Sequence, residues 1–259
     1  MPADRISPVA GDPVTLEGRG DVAVVTFDRP GRINAVDTGA AECLLRCLEQ
    51  AAGARALVLT GSGGNFCSGW DLSEARGVRD SDSGQLWATG VARLADFPAP
   101  TLAAIEGHCL GQGLLYAICC DLRIAGEGAR LGFPEVRRGF FAGSSASQRI
   151  VRVIGRARAK ELMFFGNALD ADTAALWGLV NQVTPRGGAL ESALARADEL
   201  TRGPTRALAV IKRLVDEGAD LPLAEGVKLE RRLAAELDPA EIAEGVDAFR
   251  EGRPARFPR

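Results

Sequence analysis

Apolar and polar positions follow two successive patterns along this 259-residue chain. In the first part, short β-type runs alternate with helical ones. Val22–Phe27 is valine-rich and weakly alternating, which predicts a strand, and residues 56–60 and Thr101–Ile105 are continuous apolar runs of strand length. Between them, Asp37 is placed to cap a helix running to about Gln50, with Leu44, Leu45 and Leu48 on its apolar side. Residues 80–84 read as a polar loop, followed by a helix toward Asp96 that Pro98 and Pro100 stop. Residues 113–120 are apolar on every side, the mark of a buried helix. From about Leu190 strand signals vanish. Helices are predicted over 204–218, 223–237 and 239–250, with stripes such as Leu208, Ile211, Leu214 and Val215 that need a surface to bury against.

This order predicts a layered α/β core followed by an all-helical region. The length suits one large domain, or a domain with an appendage, and the 46% apolar content is ample for its core. A net charge near −3 argues against a nucleic-acid partner, though not against a local basic patch. No run of eighteen uncharged apolar residues predicts a membrane span, and the first twelve residues lack the apolar stretch of a secretory signal. Six cysteines occur without Cys-x-x-Cys spacing; they read as reduced core thiols of a cytoplasmic protein. His108, the only histidine, cannot build a metal site or a Ser-His-Asp triad with anything visible, so metal chemistry and a serine hydrolase are not expected.

The chemistry concentrates in two glycine-rich segments, Gly61-Ser-Gly-Gly-Asn-Phe-Cys-Ser-Gly-Trp-Asp-Leu72 and Gly107-His-Cys-Leu-Gly-Gln-Gly-Leu-Leu-Tyr-Ala117. Each follows a predicted strand and turns toward a helix. Glycine lets backbone approach a ligand closely, and two such loops facing each other can aim two N–H donors at one oxygen. About twenty residues further on, Phe133-Pro134-Glu135 sets a carboxylate in an apolar stretch.

These segments, taken with Phe27-Asp-Arg-Pro-Gly-Arg-Ile-Asn-Ala35, Cys120-Asp121-Leu-Arg-Ile-Ala125 and the tail around Glu244-Gly245 and Phe249, stand in a distinctive order. In that order the chain resembles the enoyl-CoA hydratase/isomerase (crotonase) family over nearly its whole length. The resemblance implies the crotonase-like (ClpP/crotonase) α/β spiral of strand-strand-helix repeats over residues 1–190. It also implies a C-terminal α-helical oligomerisation region over 191–259, closing a homotrimer or a dimer of trimers. No cofactor is implied, since coenzyme A is part of an acyl-CoA thioester substrate.

The resemblance also implies roles. Two backbone donors, the N–H groups of Trp70 and of Gln112 between Gly111 and Gly113, would hold the thioester oxygen. Gln112 stands where most relatives have glycine. Glu135, beside Phe133 and Pro134, would move protons on the acyl group. Leu115 occupies the position where the family's hydratases carry a second glutamate that helps hold the attacking water. A single carboxylate suits double-bond isomerisation, with hydration as the runner-up. A catalytically silent acyl-CoA binder, its pocket filled by Gln112 and the Phe140-Phe141 pair, is the alternative from another class. Arg32, Ile33, Ala35, Ser68, Asp71 and Leu72 would line the coenzyme A path. Phe249 matches a tail residue lent by a neighbouring subunit. The family's tail lysine is Gly252 here, with Arg250, Arg253 and Arg256 as possible replacements. Tyr116 reads as core, and Ser144, Ser145 and Ser147 as helix-capping residues.

Overall fold

A computed structural model describes residues 11–73 and 82–258, with side chains for all of these except 82–85. The main sheet starts as a hairpin. β1 (Val14–Arg19) pairs antiparallel with β2 (Val22–Phe27) through a two-residue turn in which Gly20 adopts φ 62°. From β2 onward every neighbour is parallel: β3 (Ala56–Gly61), β4 (Thr101–Ile105), β6 (Leu122–Gly126) and β9 (Gln182–Thr184), in the order β1-β2-β3-β4-β6-β9. A second, small sheet joins β5 (His108–Leu110), β7 (Arg130–Gly132) and β8 (Leu169–Asp170). Three strands were visible in the sequence. The remaining ones are mostly too short to carry a period, and β1 mixes Glu17, Gly18 and Arg19 into its run.

Parallel strands covered on both faces read as unbroken apolar runs, which is why β3 and β4 were legible. Leu57, Leu59, Ala103 and Ile105 face a core shared with α1 (Thr38–Gln50), α2 (Asp82–Ala95) and α3 (Gln112–Cys119). Ala56, Val58, Leu102 and Ala104 face the other way, against Ala189, Ala193 and Ala197 of α6 (Ala189–Thr201). Truncating a residue such as Leu59, fully buried, to alanine would cost about 2–5 kcal/mol. The Asp37 side chain accepts from the Ala40 N–H, so the predicted cap of α1 is present.

Two sequence expectations change. Of the predicted loop at 80–84, residues 80 and 81 lie outside the described residues, and α2 already begins at Asp82. Asp82 and Ser83 stand in its first turn, where short polar residues are favoured. The all-helical region does begin near 190, but its first helix, α6, belongs to the core: it covers the second face of the sheet, and its alanines let it lie close. Beyond it, α7 (Thr205–Gly218) and α8 (Leu223–Leu233) share a small core of Val210, Leu229 and Leu233, and α9 (Pro239–Glu251) follows. The long α4 (Ala146–Phe165) is kinked at Gly155, and α5 (Ala171–Leu176) follows β8. Among the described residues, no helix is long and apolar enough to cross a membrane.

Candidate active site

The first glycine loop leaves β3 and is held from below by Asn34, which is 1% exposed. Its amide nitrogen donates to the carbonyls of Ser62 (2.9 Å) and Asn65 (2.7 Å), and its oxygen accepts the Arg29 N–H. A β-bridge between Cys67 and Cys109 then ties the first loop to the second: Cys67 N–H donates to His108 O, and Leu110 N–H to Cys67 O. Glycine is required at this seam. A Cβ on Gly113 would lie 2.3 Å from Cys67 O, and one on Gly69 (φ 104°) 2.8 Å from Leu110 O.

A second bridge fixes the direction of the Trp70 amide. Val36 N–H donates to Gly69 O and Asp71 N–H donates to Val36 O, so Val36 engages both neighbours of Trp70 and leaves the Trp70 N–H itself without an acceptor among the described residues. Gln112 opens α3, and an N–H in the first turn of a helix has no intrahelical partner. Its N–H also has none elsewhere among the described residues. Two free amides thus stand on either side of the contact between Gly69 and Gly111.

Glu135 reaches the same place from a third direction. Gly111 N–H donates to Gly132 O, fastening the second loop to the end of β7, where Pro134 starts a 3-10 turn over Pro134–Arg138. Glu135 Oε1 stands 2.8 Å from the point a Cβ on Gly111 would occupy, and its Oε2 is buried without a partner. Burial pushes its carboxyl above the usual glutamate range, offset in part by its own backbone N–H and by Arg138.

Around this centre lies one cleft of about 360 Å³. It brings together Arg32, Ile33, Ala35, Ser68, Trp70, Asp71, Leu72, Gly111, Pro134 and Glu135, all read from the sequence as site residues. Gln112 is not among its lining residues and follows Gly111 at the start of α3. Leu115 and Phe133 do not line it either. Each is 1% exposed and lies in the core, because α3 is buried on every side and Phe133 is the last apolar residue before the turn. Phe249, on α9, is 87% exposed and lines a separate apolar groove with Leu237, Ile242 and Phe257. Of the tail arginines, Arg253 is held by Glu244 and Glu251.

Arg29, like Asn34, has no role assigned from the sequence. Arg29 links Asp37 (2.7 Å) and Asp71 (3.2 Å), joining α1 to the first loop. Asp71 is held below its usual range, chiefly by the Ser73 hydroxyl. His108 is exposed on the cleft wall, with its Nδ1 2.8 Å from Asn65 Oδ1, so it braces the two loops. Phe140 also lines the cleft, while Phe141 is 75% exposed. Ser144 and Ser145 adopt positive φ, and Ser145 precedes α4 without making a side-chain cap; its hydroxyl accepts from Arg149 instead. All six cysteines are free and buried, and no metal-ligand cluster occurs among the described residues.

The Enoyl-CoA hydratase/isomerase family model matches residues 17–259. The 2,3-dehydroadipyl-CoA hydratase of Escherichia coli K12 is 34% identical, over 91% of this chain and 94% of its own length. A crystal structure of an enoyl-CoA hydratase from Bacillus anthracis superposes with a TM-score of 0.90 at 29% identity, covering 95% of this chain and 98% of its own. One from Polaromonas sp. JS666 gives 0.89 at 27% identity, covering 95% and 99%. The crotonase fold predicted from the sequence is therefore the fold of this protein, and the chain belongs to the enoyl-CoA hydratase/isomerase family, an enzyme of that type acting on acyl-CoA.

Proposed function

We propose that this enzyme stabilises a thioester enolate and shuttles a proton with a single carboxylate, so that double-bond isomerisation dominates. The thioester oxygen sits between the Trp70 and Gln112 N–H groups, where α3 adds the positive end of its dipole. Glu135 removes a proton α or γ to the carbonyl and returns it at the other end of the allylic system. One observation carries the reading: Glu135 Oε2 is buried, unpartnered and raised in affinity for a proton, beside the glycine that separates the two free amides. Such a carboxyl is suited to take up a proton and give it back.

Hydration is favoured by the names of the relatives. Against it stands Leu115, an apolar residue in the core where the family's hydratases place a second acid. Arg32, Ser68, Asp71 and Leu72 would receive coenzyme A along the cleft, and no further cofactor is needed. The exposed apolar faces of α7 to α9 would close a trimer or a dimer of trimers.

Glu135→Gln tests the acid. It should leave acyl-CoA binding nearly intact and lower turnover by roughly 10²–10⁴-fold. Unchanged turnover would remove Glu135 from the mechanism.

A further inference from the structure

The two free amides are held in different ways. The Gln112 N–H takes its direction from α3, the helix that it opens. The Trp70 N–H belongs to a peptide that follows Gly69, at φ 104°, where no side chain limits rotation. In a trans peptide the C=O and N–H point opposite ways. The 2.8 Å bond from Val36 N–H to Gly69 O therefore aims the Trp70 N–H away from Val36. The direction of this donor depends on where Val36 stands.

One side chain holds Val36 from both flanks. Arg29 lies two residues beyond β2, and its Nη1 donates to Ala35 O, just before Val36. Its Nη2 pairs with Asp37 Oδ2 at 2.7 Å, just after Val36, and with Asp71 Oδ2 at 3.2 Å, just after Trp70. The other oxygen of each carboxylate is already engaged. Asp37 Oδ1 accepts the Ala40 N–H at the start of α1, and Asp71 Oδ1 accepts the Ser73 N–H and hydroxyl. Arg29 is itself anchored, since its backbone N–H donates to Asn34 Oδ1 at 2.9 Å. The Asp71 side chain is only 8% exposed, so its pairing with Arg29 is shielded from water. A planar guanidinium, with several donors in a fixed fork, can reach a carbonyl and two carboxylates at once; an ammonium on a flexible stem is a single point charge. Arg29 does not line the cleft, so its effect on a substrate passes through the Val36–Trp70 bridge.

We propose that Arg29 is a positioning residue for the oxyanion hole: it clamps both sides of the Val36–Trp70 bridge, so that the Trp70 N–H meets the thioester oxygen as charge develops there. The inference rests on the oxyanion reading above and deepens it by naming the side chain that orients one of the two donors. The Gln112 donor, set by a helix, needs no such clamp.

Infrared difference spectra of butyryl-CoA, carrying ¹³C at the thioester carbonyl and bound to the whole protein, test this without turnover. In wild type two aimed donors should lower the carbonyl stretch below its value in water. Arg29→Met, which keeps an apolar stem and removes the guanidinium, should lose a large part of that shift. Its kcat on a 3-enoyl-CoA should fall about 10- to 100-fold with KM nearly unchanged, because the interaction lost is strongest in the transition state. Arg29→Lys keeps the charge without the fork. It should regain most of any melting temperature lost in Arg29→Met but little of the carbonyl shift or of kcat. A fall in melting temperature with the shift and kcat intact would make Arg29 structural and overturn the proposal. A raised KM with a normal carbonyl shift would also overturn it, by placing the effect on coenzyme A binding through Asp71. Wild type without any carbonyl shift would remove the oxyanion hole itself, so failure of that reading is distinguishable from failure of the role given to Arg29.

Discussion

Glu135 and Gly111 are in contact so close that a single methyl group would come between them: a Cβ on Gly111 would sit 2.8 Å from Glu135 Oε1. Gly111 also holds φ 53°, ψ −123°, a backbone conformation that L side chains rarely adopt. Gly111→Ala should therefore displace the carboxylate and strain the loop at once. We expect turnover to fall by about 10²-fold, the usual scale for a misplaced reacting group, with a stability loss of about 1–3 kcal/mol. Steady-state rates with a chemical melt check both; wild-type turnover would show that the acid tolerates a shifted position.

The raised proton affinity of Glu135 has a consequence for stability. Below the ordinary glutamate range the group is protonated in both folded and unfolded chains. As pH rises through that range, the unfolded chain loses its proton first while the folded one keeps it, so folding stability falls until the buried carboxyl also ionises. Glu135→Gln has no such loss. Its melting temperature should match wild type in acid and exceed it at neutral pH, and parallel melts between about pH 4 and pH 8 will show the divergence.

Asn34 satisfies two loop carbonyls and one amide from a site that is 1% exposed. Asn34→Ala should cost at least about 2 kcal/mol, because buried groups left unmatched each lose about 1–3 kcal/mol. Urea denaturation measures this. A negligible change would mean that water replaces the amide.

The C-terminal helices leave Ile211, Val215, Leu223 and Phe249 exposed, the last two by more than 80%. Such a concentration of apolar surface fits subunit contact. Light scattering at micromolar concentration should give the mass of a trimer or a dimer of trimers, and a monomer would contradict this part of the proposal.

How much of this was legible in the sequence depends on how local each feature is. β3, β4 and α3 are buried on both faces or all round, so their composition alone marks them. The cleft residues from Arg32 to Leu72 and from Gly111 to Glu135 were legible through the family resemblance that the two glycine-rich segments and the Pro134-Glu135 pair carry, and the glycines are forced by close backbone contact. β5, β7, β8 and β9 are two or three residues long and owe their existence to partners distant in sequence. The placement of α6 on the sheet was invisible for the same reason, since its alanine face has meaning only beside Val58 and Leu102. Arg29 and Asn34 act through contacts that no spacing announces.

The central claim, one carboxylate moving a proton without a second acid to hold water, is tested most directly by following a 2-enoyl- and a 3-enoyl-CoA in deuterated water. With Glu135 acting alone and Leu115 in the apolar core, deuterium should enter the α- or γ-position, and the double bond should migrate, faster than any 3-hydroxyacyl-CoA accumulates. Efficient hydration of the 2-enoyl-CoA without isotope exchange would contradict the account and make the enzyme a hydratase that manages with one glutamate.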